Sequence, residues 1–129
     1  MESHQNRKAA SIDSMDSYQS NFSNTYFETT HNVKGRERKA ITIVKVLHDF
    51  IGHNLKGLNL LDFGCSTGII AHYLSSYFRE VTGFDIDIPA INFAKKNFNK
   101  ENLNFIVGKS GDTEFADQHF DVVICTHIY

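Results

Sequence analysis

Two carboxylates and a glycine turn are the parts of this chain best suited to chemistry. Asp62 lies near the end of the apolar run 58–63, the turn Gly64-Cys65-Ser66-Thr67-Gly68 follows at once, and Asp85 ends a second run, Glu80-Val81-Thr82-Gly83-Phe84-Asp85, 23 residues after Asp62. Glycines between a strand and a helix let the backbone approach a ligand, and the amides that open the following helix are donors for an anion or carboxylate. An acid about 20 residues past such a turn can accept hydrogen bonds from both hydroxyls of a ribose. The spacing therefore points to a nucleotide-like ligand at the C-terminal edge of a parallel sheet.

Three chemistries compete for the turn. A dinucleotide fingerprint needs G-x-G-x-x-G, but with Gly64 as the first glycine its second and third positions hold Ser66 and Ile69. A P-loop needs Lys followed by Ser or Thr, and none follows Gly68. Gly64-Cys65-Ser66-Thr67-Gly68 also satisfies G-x-S-x-G, the nucleophile elbow of hydrolases, with Asp85 or Asp121 and then His127 in the required order. Against the elbow stand Asp62 in the strand feeding the turn and the shortness of the chain. Ser66 then reads as a small residue in a crowded turn.

Leu61-Asp62-Phe63-Gly64-Cys65-Ser66-Thr67-Gly68 resembles the first motif of the class I S-adenosylmethionine-dependent methyltransferases, an acidic residue followed by alternating glycines. The resemblance implies that Asp62 organises the methionine end of the cofactor. The backbone of Gly64, Cys65, Ser66 and Gly68 would pass beneath it, with Ser66 standing where the family usually has its middle glycine. Glu80–Asp85 resembles the second motif, which implies that Asp85 is the ribose acid and that Ile86 or Asp87 lines the adenine edge. Where the family commonly sets an Asp against the adenine amino group this chain has Lys109, which cannot accept that hydrogen bond. Either Asp112 replaces it, or backbone groups near Lys109 and Ser110 and apolar packing hold the base. The pattern Phe115-Ala116-Asp117-Gln118-His119-Phe120-Asp121 keeps the family's Phe-Asp before the next strand.

These residues need strands and helices to hold them. Residues 58–63, Glu80–Asp85, Leu103–Val107 and Asp121–Cys125 read as parallel strands, the first too continuously apolar for a one-sided position. Ala40, Ile43, Val44, Leu47, Phe50 and Ile51 recur at helical spacing over Arg36–Ile51, while Arg36, Glu37, Arg38 and Lys39 keep its start wet. Asp87 suits the N-cap of a helix with Pro89 just inside it, and Ala90, Ile91, Ala94 and Phe98 form that helix's apolar side. The expected fold class is α/β, a doubly wound Rossmann-like parallel sheet with helices on both faces. By resemblance it is partial, with strand order 3-2-1-4.

Composition sets the domain plan. Residues 1–32 are rich in Ser, Asn, Gln, Asp and Thr and read as a flexible polar arm, although Tyr18, Phe22 and Tyr26 step by four and suit a short helical lid. Residues 33–129 then form the cofactor-binding domain. A net charge of −2 without a basic run gives no basis for nucleic-acid or membrane capture. No run reaches the roughly 20 apolar residues that span a bilayer, and the polar N-terminus has no signal-peptide core, so the expected location is the cytoplasm. Cys65 and Cys125 read as buried thiols in a reducing compartment. No metal-ligand cluster is evident.

A complete fold of the resembled family has seven strands, and four are legible here. The chain is therefore expected to be the cofactor-binding half of a longer methyltransferase acting on a small molecule. The strand edge Val122-Val123-Ile124-Cys125 is open to self-association. The alternative is a noncatalytic nucleotide or S-adenosylmethionine binding module completed by a partner. His127 reads either as a general base or as a wall residue. Replacing Asp85 with alanine is expected to weaken cofactor binding and leave the fold largely intact.

Overall fold

The computed structural model describes residues 21–108 and 119–126. Four strands, β1 (Asn59–Phe63), β2 (Glu80–Asp85), β3 (Leu103–Val107) and β4 (Val122–Ile124), pair in parallel in the order β3-β2-β1-β4. The register sets Leu60 beside Val81 and Val122, and Asp62 beside Gly83 and Ile124. Crossovers of a dozen or more residues are required between parallel neighbours. Two are helical here, α4 (Ile69–Leu74) after β1 and α5 (Ile88–Asn97) after β2.

A single hydrophobic cluster joins these helices and α3 (Val33–Ile51) to one set of alternating strand residues, Leu60, Val81, Leu103 and Phe105. Because strand side chains alternate, Asp62 and Gly83 share that face and sit above the cluster at the strands' C-terminal ends. The N-caps follow local chemistry. Asn32 Oδ1 accepts from the Gly35 N–H at 3.0 Å and Asp87 Oδ1 from the Ala90 N–H at 3.1 Å, with Pro89 in the first turn of α5. Among the described residues no helix is long and apolar enough to cross a membrane.

Several expectations are corrected. Residues 21–32 were assigned to the polar arm by composition, yet they form two helical turns, α1 (Phe22–Thr25) and α2 (Phe27–Thr30), with Ser23 and Thr30 buried. The Ser23 hydroxyl donates to Asp87 and the Thr30 carbonyl accepts from Thr67, so the polar composition reflects buried hydrogen bonding as well as solvation. Phe22 and Tyr26 do pair, ring centroids 4.5 Å apart, while Tyr18 lies outside the described residues. On α3 the apolar stripe stops at Leu47. Phe50 is 88% exposed and Ile51 is exposed, because the 19-residue helix outruns the six-residue α4 against which it packs. Arg36, expected in water, is 6% exposed. Cys65 is buried, but Cys125 is exposed, on the alternation that also exposes Val123 within the edge strand β4.

Candidate functional site

The turn after β1 is built by backbone contacts to β2. The N–H groups of Gly64 and Cys65 both donate to the Phe84 carbonyl, at 2.8 and 3.0 Å, and the Gly68 N–H closes the turn onto the Cys65 carbonyl at 3.0 Å. Gly64, Ser66 and Gly68 all have positive φ, 84°, 52° and 79°. For Ser66 that left-handed conformation costs about 1–2 kcal/mol, which accounts for glycine being the usual residue at this point of the resembled motif. The strain is held by the Ser66 N–H, which donates to Asp85 Oδ2 at 2.7 Å.

Asp85 therefore has a structural duty besides any ligand role. Its Oδ1 accepts from the Asp87 N–H at 2.9 Å, so one carboxylate ties the β1–α4 turn to the β2–α5 loop. Burial raises its pKa, and the amides of Asp87, Ser66 and Ile86 oppose the rise. Alanine at 85 is therefore expected to cost stability as well as affinity. Asp85→Ala orphans two amides, at about 1–3 kcal/mol for each one left buried, and the melting temperature should fall along with affinity.

Asp62 is the least satisfied group of the site. It is fully buried, and neither carboxylate oxygen has a hydrogen-bond partner among the described residues. Burial first, then the charge of Asp85, push its pKa to about 7 against the opposing pull of Arg36. The guanidinium of Arg36 enters from the first turn of α3, its Nε donating to the Thr29 carbonyl at 3.4 Å. Sequence reasoning missed Arg36 as a functional residue. The available signal was its position four residues before Ala40, on the stripe that continues through Val44 and Leu47.

The remaining side chains have clear assignments. Ser66 Oγ is buried without a hydrogen-bond partner among the described residues. Burial and the charges of Asp62 and Asp85 raise the Cys65 thiol well above its ordinary range, which makes it a poor nucleophile at neutral pH. Asp87 is occupied twice over, by the Ala90 amide and by Ser23, while Ile86 beside it is half-buried. Asp121 exchanges backbone and side-chain hydrogen bonds with Asn59, both 2.8 Å, at the opposite end of the sheet from Ser66. Among the described residues no base meets Ser66 Oγ, and Asp121 is remote from it, so the parts of a nucleophile elbow are not brought together there. Lys109, Ser110, Asp112 and His127 lie outside the described residues.

Asp62, Gly64, Cys65, Ser66, Gly68, Asp85 and Ile86 thus converge at the C-terminal ends of β1 and β2. A separate cavity of about 500 Å³, lined by Asn59, Glu80, Thr82, Asn104, Ile106, His119 and Phe120, includes none of them. Residues 61–129 match the family model described as a methyltransferase domain. The chain belongs to the class I S-adenosylmethionine-dependent methyltransferases. It is 35% identical over 81 residues to a fatty-acid O-methyltransferase of Mycolicibacterium smegmatis, a match covering 59% of this chain and 30% of that one. It is 32% identical over 77 residues to a ubiquinone biosynthesis O-methyltransferase of Coxiella burnetii, covering 57% of this chain and 32% of that protein. The match thus spans less than half the length of these curated relatives. In fold it resembles the amino pentose methyltransferase CalS10 from Micromonospora echinaspora, with TM-score 0.63 and 18% identity over 79% of this methyltransferase chain and 42% of CalS10.

The family's cofactor is S-adenosylmethionine, and the site fits it. Its methionine end carries an ammonium group, which supplies the charge and the donors that the two orphaned Asp62 oxygens lack. Its ribose hydroxyls suit the lone pairs that Asp85 retains after accepting one amide at each oxygen. Among the described residues, no group of three or more His, Cys, Asp or Glu side chains is placed to hold a metal ion.

Proposed function

We propose that this chain holds S-adenosylmethionine and provides the cofactor side of methyl transfer to a small-molecule acceptor. The observation that carries this reading is the fully buried, unpartnered carboxylate of Asp62 beside a glycine turn fastened to Asp85. Asp62 takes the ammonium of the methionine end. Arg36 faces its carboxylate, so that a buried anion and a buried cation together receive a zwitterion. Asp85 accepts from the ribose, Ile86 borders the base, and the backbone of Gly64–Gly68 leaves room for the chain between them. When bound, the cofactor would supply an electrophilic sulfonium methyl group, open to in-line attack at carbon by an acceptor nucleophile as the carbon–sulfur bond breaks and S-adenosylhomocysteine leaves. The protein's contribution is orientation and exclusion of water, as expected where two reactants must be held in line. Relatives named for fatty-acid and ubiquinone-biosynthesis O-methylation support a small-molecule acceptor.

Isothermal titration tests the reading. S-adenosylhomocysteine should bind saturably and NAD should not. Asp85→Asn keeps an acceptor for one of the two loop amides while weakening the ribose contact. Its affinity for S-adenosylhomocysteine should fall about 10- to 100-fold, as for a lost hydrogen bond to a charged group. Absence of S-adenosylhomocysteine binding by the folded protein sinks the proposal.

A further inference from the structure

We propose that residues 21–32 are a strap closing the methionine end of the cofactor pocket, with Asp87 and Thr67 as the positioning residues that fasten it and thereby set Arg36 in the site. The inference rests on the cofactor reading above and assigns a role to residues which that reading leaves unused.

The strap is fastened at both loops that carry the site. At the β2–α5 loop the Ser23 N–H donates to Asp87 Oδ2 at 2.6 Å, and its hydroxyl donates to Oδ1 at 2.9 Å. At the β1–α4 turn the Thr67 hydroxyl donates to the Thr30 carbonyl at 2.6 Å. The Thr30 hydroxyl in turn lies 3.0 Å from the Tyr26 carbonyl and 3.3 Å from that of Ser23, which ties the two short helices to each other. Ser23, Thr30, Thr67 and Asp87 are all buried. A polar segment that served only as a tether would leave such groups in water, because burying them is tolerable only when each finds a partner. Here each does, and the satisfied network fixes one position of the strap on the two loops.

Two further contacts give that position a functional consequence. The Thr29 carbonyl, next in the chain to the fastened Thr30, accepts from Arg36 Nε. The Asp87 N–H donates to Asp85 Oδ1. One connected set of bonds therefore runs from the ribose acid through Asp87 and Ser23 to Thr30, adjoining the carbonyl that orients Arg36. A carboxylate meeting the guanidinium would add charge-assisted bonds present only when the strap is in place. By linkage, a ligand that has that carboxylate must stabilise the strap, and the strap must strengthen that ligand.

Two ligands separate these ends. S-adenosylhomocysteine has the amino-acid end, whereas 5′-methylthioadenosine keeps the adenosine and the sulfur without it. Amide hydrogen exchange of the wild-type protein, saturated with each ligand, should show residues 21–32 slowed about tenfold more by the first. Equal protection by both, or protection by neither, overturns the strap. Thr67→Val removes the hydroxyl at nearly constant shape and should raise the dissociation constant for S-adenosylhomocysteine about tenfold while leaving that for 5′-methylthioadenosine within about twofold. Ser23→Ala, which spares the N-cap of α5, should show the same split and serves if the valine variant fails to fold. Equal weakening of both ligands would mark Thr67 as merely structural and overturn the inference. Binding of S-adenosylhomocysteine without any strap effect refutes the strap alone, and no binding of either ligand refutes the cofactor reading as well.

Discussion

Replacing Asp62 with asparagine should make the ligand-free protein more stable at pH 8 and cut its affinity for S-adenosylhomocysteine at least about a hundredfold. Both effects follow from one buried carboxylate without a hydrogen-bond partner among the described residues. Its pKa of about 7 in the fold, against 3.8 when exposed, means that the folded state disfavours the charge. About three pKa units correspond to about 4 kcal/mol of destabilisation above pH 7. Burying the new amide N–H returns about 1–3 kcal/mol of that gain. The pH dependence has a definite sign. With the folded pKa above the unfolded one, stability from this group is fully present below pH 3.8 and is lost as the pH rises to about 7.

Binding runs the other way, because an ammonium ligand selects the ionised form of Asp62. Affinity should rise between pH 6 and 8 by at most about tenfold per unit, flattening above 7. Asp62→Asn should abolish that slope, and the loss of a buried charge partner, about 3–5 kcal/mol, sets the hundredfold floor. His72 contributes an opposite background. Burial and Lys100 depress its pKa, so its contribution to stability is lost as the pH falls below 6.5. The difference between wild type and variant removes that term. Thermal melts and titrations at pH 6, 7 and 8 provide the check; a variant less stable at pH 8, or one that binds as tightly as wild type, would contradict this account of the site.

Local signals carried most of the fold. The strands Glu80–Asp85 and Leu103–Val107 have the bounds that their sequence suggests, and Asp87 with Pro89 marks the start of α5 through chemistry confined to one turn. The placement of the candidate residues on the fold was legible in the same way. Asp62, the glycine turn and Asp85 occupy strand ends, and the strand order brings those ends together. What escaped depends on contacts far along the chain. Ser23 meets Asp87 across 64 residues and the Thr67 hydroxyl meets the Thr30 carbonyl across 37, so Ser23 and Thr30 look solvent-facing until those partners are in place. Arg36 was hidden by its neighbours, since a charged cluster at a helix start reads as exposed even when one member turns inward. Phe50 and Ile51 show the converse error, in which an apolar period continues past the surface that buries it.

Gly68→Ala should be the most destabilising single-methyl addition in the turn, by about 2–5 kcal/mol, and three glycines allow the cause to be divided. At Gly68 both penalties coincide. Its φ is +79°, and an added Cβ would lie 2.6 Å from Phe105 Cε1, 2.7 Å from Cζ and 2.8 Å from the Ala94 Cβ. Gly52 has an unusual backbone alone, φ +106° and ψ −176° with nothing within 4 Å, so Gly52→Ala gives a backbone cost free of crowding, about 1–3 kcal/mol. Gly83 has the crowding without a positive φ. Its Cβ would meet Cys65 Sγ and Phe105 Cδ1, each at 2.8 Å, and overpacking of that kind costs about 1–3 kcal/mol. The Gly68 penalty is then close to the sum, a large share of the 5–15 kcal/mol typical of a whole domain. Phe105→Leu should relieve the crowding at Gly68 and at Gly83 while leaving Gly52→Ala unchanged. Urea melts of the single and double variants measure this as coupling energies. Coupling of at least about 1 kcal/mol between Gly68→Ala and Phe105→Leu is required if the bare α-carbon at 68 serves helix–sheet packing as well as the turn. Strict additivity would leave only backbone conformation to explain the glycine, and would detach the turn from the core beneath it.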